Sequence, residues 1–158
     1  MRIYKSVRLA SVTSMWADEL ISLKQQQLDK EMQNGLLEHA ESELLKDFPF
    51  LNGISRNITF KVSFSSVVEL CYRITEDYSM DDWETISKQM EQFKDTSDND
   101  TSNTPKLYLE ESVWHGLEHY QRLLMSEDNK RILRLSYILK LVLFAGWKDY
   151  KKSLQVKP

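Results

Sequence analysis

The sequence has few residues that interrupt regular secondary structure. Of its 158 residues, four are glycine and three are proline. So few helix breakers, together with abundant Leu, Glu, Lys and Gln, favour helices and argue against an all-β chain. Hydrophobic residues make up 41% and charged residues 28% of the chain, which is outside the range of disordered proteins. We therefore expect a single, mainly α-helical domain over residues 1–158.

The chain also has little that would support catalysis. Its one cysteine, Cys71, excludes an internal disulfide and a zinc site built from several thiolates. The apolar neighbours Val67, Val68 and Leu70 predict a buried side chain at position 71 rather than a nucleophile. A glycine-rich phosphate loop and a nucleophile elbow are both missing from the sequence. We expect a protein that is not an enzyme and that needs no cofactor.

Apolar spacing and capping residues predict an irregular bundle of about five to six helices. Ser11 or Thr13 is expected to cap the first helix, which runs to about Gln33. The predicted later helices are Leu36–Phe48, a helix from Ser65 or Ser66 to about Tyr78, one from Ser79 to about Lys94, one from Thr104 to about Met125, and a last helix capped at Ser126.

Two segments show the alternation of apolar and polar residues that is typical of strands. The stronger one is Ile58–Phe64, and the weaker one is Ile3–Leu9. We expect the two segments to pair, which would give a small two-stranded β ribbon. Such a ribbon is not stable alone and would have to lie on the helices.

The last helix is predicted to be apolar on all sides. Large apolar residues in this segment are Ile132, Leu133, Leu135, Tyr137, Ile138, Leu139, Leu141, Val142, Leu143, Phe144 and Trp147. A membrane span is not expected, because Arg134 and Lys140 interrupt a run shorter than the ~20 residues that a span needs. Protein must then cover the helix. Either the chain's own helices cover it, or an obligate partner does. A partner is considered because the first long helix has only Leu28 and Met32 as apolar residues after Leu23.

Charge is unevenly distributed along the chain. Residues 129–158 contain eight basic residues and Asp149, a balance of +7; the whole chain carries −3, so residues 1–128 carry −10. A helix would place Lys130, Arg134, Lys148 and Lys152 within about 40° of one another around its axis. The predicted partner-binding residues of this basic end are Lys130, Arg134, Lys148, Lys151 and Lys152, with Trp147 and Tyr150 as stacking residues. A simpler interpretation is that these basic side chains complement the helix dipole and the chain's own acidic surface.

The segment His115-Gly-Leu-Glu118-His119 has the H-x-x-E-H pattern of a class of zinc peptidases. On a helix the two histidines could share a metal, with Glu118 as general base. Such sites also need an acidic ligand from well downstream, and few acids follow His119. We expect His115 and His119 to be ordinary histidines, and we regard them only as weak candidates for metal ligands.

Residues 95–104 contain no apolar side chain, so they are predicted to form a flexible polar linker. Ser97 and Thr104 in this linker are candidate phosphorylation sites, and a phosphate there could dock against the basic end. Residues 1–17 are basic, with no acid before Asp18, which fits a mitochondrial presequence. We favour instead a short strand or helix start in an intracellular protein of the cytoplasm or nucleus.

Together these features predict a non-catalytic interaction or scaffold subunit of an intracellular multiprotein complex. It would bind protein partners through its helices and its basic C-terminal end, as a hetero- or homo-oligomer. The first alternative is a nucleic-acid-associated factor that uses the basic C-terminal helix. The second is a metal-dependent hydrolase built on His115, Glu118 and His119.

Overall fold

The computed structural model describes residues 1–93, 102–125 and 131–155. These ranges hold six α-helices, a short 3-10 turn and one antiparallel two-stranded sheet, which confirms the predicted fold class. In chain order the elements are β1 (Arg2–Ser6), α1 (Ser11–Gln33), α2 (Leu36–Asp47), the 3-10 turn (Pro49–Leu51), α3 (Phe64–Thr75), α4 (Met80–Gln92), β2 (Lys106–Glu110), α5 (Glu111–Leu123) and α6 (Leu135–Gln155).

Local capping chemistry fixes the starts of α3 and α4. The predicted capping box of α4 is confirmed: the Asp82 amide donates to Ser79 Oγ at 3.2 Å, and the Ser79 amide donates to Asp82 Oδ2 at 2.9 Å. The start of α3 is instead fixed by Ser63 and Ser66, which form a second capping box. Helix α3 therefore begins slightly earlier than predicted, and it ends at Thr75, three residues before the approximate end predicted at Tyr78.

The two ends of α1 differ in how well the sequence predicted them. Its end at Gln33 is confirmed. Its N-cap is Ala10, so the expectation of a Ser11 or Thr13 cap is wrong. Leu9 still exchanges backbone hydrogen bonds with Asn103, and the helix begins as soon as the chain leaves that pairing.

The β ribbon exists, but its predicted pairing is wrong. Strand β1 pairs with β2 rather than with Ile58–Phe64, and Tyr4 lies opposite Tyr108. Residues 54–63 have no regular secondary structure, and β2 occupies the start of the helix that was predicted from Thr104. The reason is that Leu107 and Leu109 are fully buried while Tyr108 between them is exposed, a period-2 pattern that only a strand can satisfy.

The ribbon is anchored to the helices through polar contacts. The Tyr108 amide donates to Ser65 Oγ at 2.8 Å, and the Glu110 amide donates to Glu69 Oε1 at 3.0 Å. On the other strand, the Trp114 indole N–H donates to the Ile3 carbonyl at 2.9 Å. These bonds fix β2 along α3 and β1 over α5.

Helix α6 lies at the centre of the core. Every residue from Leu141 to Trp147 is buried, as are Ile138 and Leu139. Helices α1, α3, α4 and α5 surround it, so the chain's own helices cover it and no partner is needed for that purpose. The helix begins at Leu135, later than predicted, and Ile132 before it is 58% exposed. The predicted cap at Ser126 lies outside the described residues.

Within residues 1–93, 102–125 and 131–155, no helix is both long enough and apolar enough to cross a membrane.

Helices α3 and α6 approach each other closely at Gly146. A Cβ atom placed on Gly146 would overlap Sγ and Cβ of Cys71 and would lie 3.2 Å from its Cα. Beside this crossing, the Trp16 ring of α1 lies 5.0 Å from Phe144 and 6.0 Å from Trp147, measured between ring centroids. The absence of a side chain at position 146 therefore lets α3 pack against α6 beside the aromatic cluster that α1 and α6 share.

We expect Gly146→Ala to lower the free energy of unfolding by about 3 kcal/mol, because the new methyl group forces α3 and α6 apart. Urea denaturation followed by circular dichroism measures this loss. Gly53→Ala is the control: its Cβ would meet no atom within 4 Å, and its positive φ makes a cost of about 1 kcal/mol the expected limit. Equal losses in the two variants would contradict this account of the α3–α6 crossing.

Candidate interaction surfaces

The basic C-terminal end is less positive in the fold than in the sequence. Lys148, Lys151 and Lys152 line a groove of about 490 Å³ between α4 and α6, but Asp82 and Asp149 line the same groove. The groove's formal charge is therefore +1 (three lysines against two aspartates). Of the other predicted cations, Arg134 is exposed just before α6, and Lys130 lies outside the described residues.

One lysine of this end has a structural role. The Lys151 ammonium lies 3.2 Å from Glu19 Oε1 and 4.2 Å from the centroid of the Trp147 ring. The Trp147 indole N–H donates to the other oxygen of Glu19 at 2.7 Å. These three side chains join α6 to α1, and Trp147 is 8% exposed. Trp147 cannot stack on a nucleobase without leaving the core.

Tyr150 also faces α1. It is half-buried, and the Lys24 ammonium lies 5.2 Å from its ring centroid. The structure therefore brings both predicted stacking residues to the α1–α6 contact, and leaves Lys148 and Lys152 as the exposed lysines of the basic end among the residues described.

We expect Lys151→Glu to lower the melting temperature clearly, because it removes the cation over Trp147 and places a second carboxylate beside Glu19. The loss should be about 1–2 kcal/mol of unfolding free energy. Lys152→Glu is the matched control on the same helix, because the Lys152 side chain is exposed, and should change stability by less than about 0.5 kcal/mol. Thermal melts at low ionic strength test both, and a Lys152 variant as unstable as the Lys151 variant would contradict the assignment.

His115, Glu118 and His119 are exposed on α5. The Glu118 carboxylate is 3.1 Å from the Lys5 ammonium, so it bridges α5 to β1. In the described parts of the chain, no three or more His, Cys, Asp or Glu side chains are grouped closely enough to hold a metal. The metal-dependent alternative therefore gains no support from the geometry of these residues.

Of the two candidate phosphorylation sites, Thr104 is exposed two residues before the start of β2. Ser97 lies outside the described residues, as does most of the predicted linker 95–104. The proposed docking of a phosphate on the basic end stays a prediction.

Cys71 is buried where α3 crosses α6, as predicted. Burial, and to a lesser extent the negative charge of Asp149, raises the pKa of its thiol from 9.0 to about 12. The thiolate is the reactive form of cysteine. At neutral pH this thiol therefore acts as a small apolar side chain.

We expect Cys71 to react with a disulfide reagent at pH 8 only as fast as the protein unfolds, and to react rapidly in denaturing urea. Because the folded-state pKa is the higher one, the thiol's contribution to stability is complete below pH 9. It is lost as the pH rises toward about 12. Cys71→Ala should flatten the loss of stability over that pH range. Fast labelling of the native chain at pH 8 would contradict this prediction, because it would show that the Cys71 thiol is accessible in the folded state.

The structure also reveals a surface that the sequence analysis did not single out. Residues 21–63, which we call the arm, contain no buried residue. The arm comprises the second half of α1, all of α2, the 3-10 turn and the extended segment that leads to α3. Its apolar residues are Ile21, Leu23, Leu28, Met32, Leu36, Leu37, Ala40, Leu44, Leu45, Phe48, Phe50, Leu51, Ile54, Ile58, Phe60 and Val62.

The arm is held mainly by its own contacts. Helices α1 and α2 form a hairpin in which Gly35, with φ of +94°, makes the turn. The half-buried apolar residues of α2 recur on one face and pack along α1. Arg56 of the extended segment reaches back to α2, where its guanidinium lies 3.8 Å from Glu41 Oε2. Among the described residues, no third helix lies over the seam of this hairpin.

The most exposed apolar side chains of the arm come directly after α2. We name Phe48, Phe50 and Ile54 the phenylalanine patch; their exposed fractions are 50%, 73% and 49%. The two phenylalanine rings meet edge to face, with centroids 6.4 Å apart. The sequence did carry a signal for the arm, because the polar run from Lys24 to Gln33 indicates a helix that stands in solvent. It carried no signal that Phe50 lies outside the core.

Comparison of the chain with known protein families, curated proteins and solved structures found no match. The roles of the arm and of the basic end are therefore inferred from their residues, exposure and charge.

Proposed function

We propose that this protein is a non-catalytic subunit of an intracellular multiprotein assembly and that the arm is its main binding surface for another protein. The observation that supports this is the absence of any buried residue from position 21 to position 63, although the segment is rich in Leu, Ile and Phe. Leaving a large apolar side chain in water forgoes about 1.5–3 kcal/mol. Four of its large apolar side chains, Phe48, Phe50, Ile54 and Phe60, are exposed, and a group of exposed apolar residues of this kind is typical of a protein interface.

The binding segment of the partner is an amphipathic helix with basic flanks. A helix laid over the seam of the α1–α2 hairpin would complete a three-helix bundle and would cover the phenylalanine patch. The exposed charged residues of α2 are the acidic Glu38, Glu43 and Asp47 and the basic Lys46. Glu41 is not counted among them, because its carboxylate is paired with Arg56. The arm as a whole has six acidic and five basic residues, so the preference for a helix with lysine or arginine at its edge is confined to the side that faces α2.

The basic end is a second, smaller surface in this proposal. Lys148 and Lys152 are exposed there, and an acidic region of the same assembly suits them. The mixed charge of the groove and the internal use of Lys151 and Trp147 favour a protein contact over nucleic acid. A lone buried thiol suits a reducing compartment, so we place the assembly in the cytoplasm or nucleus.

We expect Phe50→Glu to weaken partner binding by at least about 30-fold, because it places a charge in the centre of an apolar interface. The test is site-specific photocrosslinking in the native cells. A photoreactive phenylalanine analogue at position 50 should crosslink to one partner, and the crosslinked peptide should lie in a basic amphipathic helix. Adding Phe48→Glu to the same chain should abolish the crosslink.

The control position is Ile132, which is similarly exposed but lies outside the arm. The analogue at position 132 should give no crosslink to that partner, and Ile132→Glu should leave binding unchanged. Thermal melts must show that the Phe50 variant is as stable as the parent chain, since position 50 makes no core contact. Crosslinks that are equal at both positions, or absent at position 50, would refute the arm as the binding surface.

A further inference from the structure

The outer edge of β1 is open. Odd-numbered residues bond across the ribbon: the Val7 amide donates to the Pro105 carbonyl and the Leu9 amide to the Asn103 carbonyl. In an antiparallel pair the alternate residues then direct their N–H and C=O groups outward. These residues are Arg2, Tyr4 and Ser6, and all three are exposed. In the described part of the chain, their outward backbone groups have no hydrogen-bond partner.

The opposite edge of the ribbon is closed. The outward amides of Tyr108 and Glu110 on β2 donate to Ser65 and Glu69 of α3. The fold thus satisfies one edge with side chains and leaves the other free. A free edge with a regular backbone is the element that pairs with another strand.

We propose that β1 pairs in antiparallel fashion with β1 of a second copy of this chain. A two-fold axis at Tyr4 would give a continuous four-stranded sheet in the order β2, β1, β1, β2. Tyr4 would lie opposite Tyr4 of the second copy, and Arg2 opposite Ser6. Each of these pairs would exchange two N–H···O bonds, so every outward backbone group of the strand would be satisfied.

The exposed face of the ribbon suits this pairing. Tyr4 is 56% and Tyr108 is 39% exposed, and their rings stack with centroids 4.2 Å apart. Pairing would extend this stack into a row of four tyrosines across the axis. Arg2 would face a serine rather than a like charge, and its own guanidinium is already held by Glu69 at 2.6 Å.

The inward face is also compatible with a second copy. Lys5 would lie opposite Ile3, and the two Lys5 side chains would lie diagonally across the axis. An inward lysine normally discourages edge pairing. Here each Lys5 ammonium is 3.1 Å from Glu118 and 5.1 Å from the Trp114 ring centroid, so its charge is already balanced. The strand is therefore complementary to itself about Tyr4, and for this reason the proposed partner of β1 is a second copy of this chain.

The test is sedimentation velocity of the full chain without an N-terminal tag, over a series of concentrations. The parent chain should show a monomer–dimer equilibrium. Ser6→Pro removes an outward N–H while leaving the bonds to β2 in place, and should weaken dimerisation at least about tenfold. Ser6→Ala keeps the N–H and should dimerise like the parent. Phe50→Glu should also dimerise normally, which separates this proposal from that of the arm.

A second measurement keeps the proposal testable if Ser6→Pro fails to fold. Tyr4→Cys should be joined into a dimer by a short bismaleimide, and Phe50→Cys should not; the buried Cys71 does not compete. A parent chain that stays monomeric at its highest soluble concentration would overturn the proposal. So would a folded Ser6→Pro chain that dimerises as the parent does, or Tyr4 and Ser6 amides protected from exchange only when a different protein is present.

Discussion

The burial of α6 on every side is the constraint on which the rest of the structure depends. A helix that is apolar around its whole circumference has no face to offer to water, so the other elements must be arranged around it. Helices α1 and α3 contribute Trp16, Leu20, Val67 and Cys71 to its cover. Gly146 allows α3 to pack directly against α6, because any side chain there would meet Cys71.

The same constraint explains why the surface is so unevenly built. The first half of α1 is committed to α6, and its last buried residue is Leu20. Beyond Ile21, which still packs against the core, and Lys24, which lies over Tyr150 of α6, the second half of α1 packs against α2. Apart from Ile21 and Val62, the apolar residues of the arm are therefore not part of the core, and these residues form the binding surface in our proposal.

Features governed by neighbouring residues could be predicted from the sequence. The capping box at Ser79, the end of α1 at Gln33 and the buried character of α6 all depend on spacing within one helix. Strand pairing could not be predicted in this way. The alternation in Ile58–Phe64 is as regular as a strand requires, but pairing is decided by distant partners, and the buried Leu107 and Leu109 place β2 beside β1 instead.

The candidate surfaces were predictable only in part, for a related reason. Helical spacing correctly puts Lys148 and Lys152 on an exposed side, but it says nothing about Glu19, which lies far away in sequence and binds both Lys151 and Trp147. The polar run after Leu23 did indicate a helix in solvent. That Phe48, Phe50 and Ile54 cluster beside it depends on the turn after α2, which periodicity does not describe.

The continuity of α1 has a mechanical consequence. Its 23 residues form a single rod about 35 Å long, clamped at one end by the aromatic cluster around Trp16 and carrying the arm at the other. A rigid helix transmits a tilt along its whole length. A force applied at the Gly35 turn, where this rod ends, would therefore act on the ring contacts between Trp16, Phe144 and Trp147. The packing of the core is thereby coupled to the position of the α1–α2 turn.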